Sequence, residues 1–127
     1  MVYGSAAFRQ GAYPLIKNFL YISLVQNTGI GFGLMKGQNT PAIWLTILFL
    51  GVIIYYLDEI AKEKYPAIFT GLLIGGAIGN LMDRICLHYV RDFIAFTFWP
   101  AFNFADIAIT VGGIGLIAYF IMEENKK

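Results

Sequence analysis

The chain has 127 residues, of which 58% are hydrophobic, 17% aromatic and 13% charged, with a mean hydropathy of +0.66 and a net charge of +1. Soluble domains carry about 25% charged residues, so this composition excludes an ordinary soluble domain. Near-neutrality excludes an electrostatic case for nucleic acid.

The first ten residues, Met1 to Gln10, hold no compact apolar stretch behind a basic start, so no cleavable signal peptide is predicted. Leu15 to Val25, "LIKNFLYISLV", is rich in branched and aromatic residues and short for a helix, which predicts a strand. The segment "QNTGIGFGLMKGQNT" follows, with four glycines and no helical period. Irregular backbone at membrane depth is tolerated only against protein or a water-filled cavity. The segment is therefore expected at the membrane surface as a small sheet or flap.

Three uncharged runs come next: Gly37 to Leu57 (21 residues), Tyr65 to Met82 (18) and Ile107 to Met122 (16). A helix needs about 20 mostly apolar residues to cross a bilayer, so each run predicts a span, the last starting near Asn103. The expected fold is an all-α membrane protein: three transmembrane helices preceded by a small β and flap segment, one domain over residues 1–127, with 1–36 as strand and flap and 37–127 as spans. Gly71, Gly75 and Gly79 recur every four residues and predict a stripe for close helix approach.

Each span reverses the side of the membrane. Asn27, Asp83, Arg84, Asp92, Asn103 and Asp106 are therefore expected to face one compartment. Lys and Arg number five on that side (Arg9, Lys17, Lys36, Arg84, Arg91) and four on the other (Lys62, Lys64, Lys126, Lys127), which leaves orientation open. Ionisable groups at membrane depth point to function, and Asp92 and Asp106 flank the aromatic connection "FIAFTFWPAFNFA". A helical hairpin there would bring them face to face. Two carboxylates in one dry site share a proton, one acting as base towards water and the other as acid towards a carbonyl oxygen. That chemistry hydrolyses a peptide bond without metal or covalent intermediate. The plainer alternative has Asp83 and Asp92 pairing with Arg84 and Arg91, and Asp106 capping a helix.

Other chemistries lack their residues. Cys86 and His88 are the only cysteine and histidine, too few for a zinc site, and the glycine-rich stretches lack the P-loop lysine. No metal or cofactor is expected.

Together, "LVQNTGIGFGL", "GGAIGNLMDRICLHYVRDFI" and "FNFADIAITVGG" resemble the lipoprotein signal peptidases, or signal peptidase II, in order and spacing from about Gly11 to Ile121. The resemblance implies a bacterial inner-membrane aspartic protease that cleaves prolipoproteins before a diacylglyceryl-modified cysteine, with its site towards the outer face. It makes Asp92 and Asp106 the catalytic dyad. Asn27 and Gly29 in the flap, Asn80, Asp83 and Arg84 in the "GNxxDR" motif, and Asn103 become substrate-binding or supporting residues. The implied partners are a lipid-modified prolipoprotein and membrane lipid. The family usually has four spans, and the chain is expected to begin after the first, with "MVYGSAAFRQG" as its remnant. His88 stands where the family commonly has glycine. A proton- or cation-coupled transporter subunit, a non-catalytic scaffold and an inactive trimmed relative are the competing readings.

Overall fold

The computed structural model describes residues 12–29 and 37–127. The expected flap beyond Gly29, and the reading of the first ten residues, fall outside them. In chain order the elements are β1 (Tyr13–Ile16), β2 (Leu20–Asn27), α1 (Asn39–Tyr55), α2 (Leu57–Ile60), α3 (Lys64–Leu87), β3 (Val90–Phe96), β4 (Trp99–Phe102) and α4 (Phe104–Asn125). The fold is mixed helix and sheet, which corrects the all-α expectation.

The short aromatic connection, expected to link a hairpin of helices, is itself a β-hairpin, β3 and β4, joined to β1 and β2 in an antiparallel sheet of order β1-β2-β3-β4. The region read as one strand is two, separated by a turn at residues 17–19. β2 and β3 pair Ile22 with Ile94, Val25 with Asp92 and Asn27 with Val90, with an irregularity between Ile22 and Val25. Both edge strands contain a proline, Pro14 in β1 and Pro100 in β4. Helix α3 stops at His88, whose φ of 67° is left-handed and whose N–H donates to the Arg84 carbonyl at 3.1 Å. This is the usual way a helix satisfies a late carbonyl and turns the chain, normally with glycine.

Among the described residues two helices are long and apolar enough to cross a membrane, α3 with 24 residues and α4 with 22. The first expected span forms α1, apolar but only 17 residues long, followed by the short α2. Chain contacts group into two units, residues 1–42 with 83–103, and 43–82 with 104–127. The first holds the sheet. In the second, α3 and α4 pack antiparallel.

Their contact corrects the predicted stripe. Among the described residues a Cβ on Gly71 or Gly75 would meet nothing within 4 Å and one on Gly79 would touch the Ala105 side chain at 3.5 Å, whereas on Gly76 it would lie 2.5 Å from the Ala105 carbonyl oxygen, and on Gly112 2.5 Å from that of Phe69. Gly76 and Gly112 are therefore the glycines that let the two backbones approach. Gly76→Ala and Gly112→Ala are each expected to lower stability by about 1–3 kcal/mol, the cost of overpacking a fitted contact. Gly75→Leu should unfold at the wild-type temperature in detergent; thermal scans of the three variants check the assignment.

Candidate active site

Asp92 sits in β3, 2% exposed. A buried carboxylate needs donors, and two side-chain amides supply them. Asn27 Nδ2 donates to Oδ2 at 3.1 Å and Asn103 Nδ2 to Oδ1 at 3.1 Å. Strand register explains the first contact. Asn27 is opposite Val90, two residues from Asp92 and so on the same face of β3. Asn103 follows β4 directly, where Phe102 is opposite Ile94, and the same amide also donates to the Arg91 carbonyl at 3.3 Å.

Asn27 works in a second direction. Its Oδ1 accepts the Gly29 N–H at 3.0 Å, a local turn that asparagine favours, while Arg84 Nη2 donates to the Gly29 carbonyl at 2.6 Å. Arg84, 7% exposed, also accepts through its own carbonyl from Asn39 Nδ2 at 3.1 Å. The Gly37 N–H donates to Thr28 Oγ1 at 2.9 Å. Gly29, Arg84, Asn39 and Thr28 thus bind the chain on both sides of residues 30–36 to the unit that contains Asp92.

The sequence paired Asp83 with Arg84; the structure gives it Arg91. Asp83 Oδ2 accepts from the Arg91 backbone N–H at 3.0 Å and from Nε at 3.3 Å, and Oδ1 from Nη2 at 3.0 Å. This hydrogen bonding, with the Asp83 charge, pushes the Arg91 guanidinium above its ordinary value. Since Arg91 precedes Asp92, the clamp fixes the start of β3.

In the second unit Asn80 Nδ2 donates to Asp106 Oδ1 at 2.9 Å. Asn80 lies one turn beyond Gly76, on the same helix face, and Asp106 one residue beyond Ala105. The glycine contact therefore sets the amide opposite the acid. Asp106 stands in the first turn of α4, where unpaired N–H groups favour negative charge. All the sequence-selected residues are thus engaged: Asn27, Gly29, Asp83, Arg84, Asp92 and Asn103 within one unit, Asn80 with Asp106 within the other. Sequence reading missed Asn39 and Thr28. Polar residues just before an apolar run are a helix-start signal, which marks the first but does not reveal its partner.

A family model described as Signal peptidase (SPase) II matches residues 2–122. The chain belongs to the signal peptidase II family. Similar family members include the lipoprotein signal peptidase of Halothermothrix orenii, 37% identical over 112 residues, covering 88% of this chain and 77% of that one. That of Shouchella clausii is 41% identical over 117 residues, covering 90% and 78%. Among solved structures, a bacterial membrane enzyme determined at 2.3 Å by the in meso method superposes with a TM-score of 0.85 at 30% identity, over 92% of this chain and 74% of that one. A second, at 1.9 Å, gives 0.75 at 30% identity over 87% and 74%. This chain is accordingly a member of a membrane peptidase family.

The two ion and amide contacts differ in weight. Arg84→Met removes a buried charged donor from the Gly29 carbonyl and should cost about 1.5–3 kcal/mol. Asp83→Asn weakens a pair whose arginine is largely exposed and should cost no more than about 1 kcal/mol. Unfolding midpoints in a single detergent measure both.

Proposed function

We propose that the chain is an aspartic endopeptidase that removes the signal peptide of prolipoproteins before a diacylglyceryl-modified cysteine, with Asp92 and Asp106 as its dyad. The observation that carries this reading is Asp92, a nearly inaccessible carboxylate held by Asn27 and Asn103, both family-motif residues. Family membership and the parallel Asn80 to Asp106 contact support it.

In the reaction one carboxylate takes a proton from water, whose oxygen attacks the scissile carbonyl carbon, while the other, protonated, donates to the carbonyl oxygen. Collapse of the tetrahedral intermediate breaks the C–N bond as the first acid passes its proton to the leaving amine. The carbonyl oxygen returns its proton to the second. One proton then remains on the pair, ready for the next turnover. Amides suit this role because they orient a carboxylate in either protonation state, without the charge that a lysine or arginine would bring.

The proposed setting is a bacterial inner membrane, with α1, α3 and α4 as spans, residues 1–127 as one peptidase domain, and the dyad towards the outer face. The partners are the lipid-modified precursor and membrane lipid, with no nucleic acid. Each buried CH₂ of a lipid chain contributes about 0.8 kcal/mol of membrane attachment, so the diacylglyceryl group holds the scissile bond at a fixed height. Asn27 serves the substrate indirectly, by joining Asp92 to the Gly29 turn.

Asp92→Asn and Asp106→Asn should each lower cleavage of a lipidated precursor by about 10²-fold or more, with normal insertion and unfolding temperature. Wild-type turnover in either variant removes that residue from the dyad. A transporter using the same acids predicts ion flux into vesicles instead. Reconstituted enzyme should leave the unlipidated precursor intact, and Asn27→Ala should reduce turnover by about tenfold; rapid cleavage of an unlipidated soluble peptide would refute the lipid requirement.

A further inference from the structure

One end of the sheet is built of aromatic rings. The turns at residues 17–19 and 97–98 lie side by side there, with the Thr97 N–H donating to the Phe19 carbonyl at 3.1 Å and Thr97 Oγ1 to the Asn18 carbonyl at 3.4 Å. Phe96 is 5.3 Å from Phe19, 5.4 Å from Phe98 and 6.0 Å from Phe102 between ring centroids. Stacking on one another does not bury them: Phe98 is 68% exposed, Trp99 45% and Phe19 43%.

Turns that face water are made of Gly, Asn, Asp, Ser and Pro, and exposed sheet margins usually carry charge. Neither holds here. Across residues 13–24 and 94–102 the only charged residue is Lys17, in the turn beside Phe19. The hairpin is also tethered: β4 ends at Phe102 and α4, a helix of membrane-crossing length, begins at Phe104.

We propose that this tip is a membrane-interface anchor, with Phe19, Phe98 and Trp99 seated in the headgroup layer and Lys17 extending its ammonium to anionic lipid phosphates. Aromatic rings concentrate at that layer because one side is apolar and the other wet. A lysine can lay its methylenes along apolar surface while its charge stays with the phosphates. The single positive charge favours a bilayer over an apolar protein partner. A second copy joined edge to edge would have to overcome Pro14 and Pro100.

The test uses the whole chain and no substrate, so it stands or falls separately from the peptidase reading. Trp44→Phe leaves Trp99 as the sole tryptophan. The variant is reconstituted in phosphatidylethanolamine and phosphatidylglycerol vesicles containing lipid brominated either high on the acyl chain or near its end. Trp99 fluorescence is expected to be quenched, more strongly by the shallow bromines, and adding Phe19→Ser and Phe98→Ser should remove most of that quenching. Should the triple variant fail to fold, Lys17→Glu replaces the serines and is expected to weaken quenching in anionic vesicles. Absence of bromolipid quenching, with free access of acrylamide, overturns the proposal. So does quenching that appears only after a lipidated peptide is added, or a Trp99 signal that follows the protein-to-lipid ratio as a contact between copies would.

Discussion

A carboxylate removed from water has to be given hydrogen-bond donors, and much of the sheet unit follows from how Asp92 is given them. One amide comes from the end of β2 and the other from the residue after β4, so the three strands must hold their register for the acid to be satisfied. The dependence extends outward. Asn27 cannot hold Asp92 unless the chain turns at Gly29, and that turn is secured by Arg84 on α3, whose carbonyl in turn receives Asn39 from the start of α1. Asp83, next to Arg84, fixes Arg91, next to Asp92. Asn27 and Asn103 thus reach the two oxygens directly, while α3 and the start of α1 support the turn behind Asn27.

The helical unit solves a related problem by different means. Hydrophobic pressure does not hold helices together in lipid, so close backbone approach and polar contacts do that work. Gly76 and Gly112 permit the approach of α3 and α4. Asn80 and Asp106 form a polar contact one turn away, where the spacing has already been set. Packing and site geometry are therefore two results of one helix contact.

Much of this was legible in the sequence. The long uncharged runs located the apolar helices, polar residues in apolar surroundings marked Asn80, Asn103 and Asp106, and Asp92 stood out as the acid across the aromatic connection from Asp106. The hairpin β3–β4 escaped notice because its turn, Thr97–Phe98, lacks the glycine or asparagine that announces a tight reversal, and because its aromatics resemble those of a membrane-border loop. The glycine stripe was misplaced for another reason. Gly71 and Gly75 lie beside Gly76 on the same helix but off the contact that Gly79 shares with Ala105, and only the partner surface around Ala105 and Phe69 decides which face is covered. Similarly, Asp83 has arginines one and eight residues away. Chain proximity favoured Arg84, but strand pairing gives Arg91 both a backbone and a side-chain donor facing the acid.

The prolines in the two outer strands bear on life in a crowded bilayer. Neighbouring copies of a membrane protein share one orientation and are confined to a plane, which brings like edges together far more often than tumbling in solution would. Proline presents no N–H, so β1 and β4 each hold one residue that cannot donate to a visiting strand. A sheet so short has few other bonds to offer, and losing one at either margin removes a sizeable share of the gain from fusion. Joining of two copies through these strand margins is disfavoured accordingly.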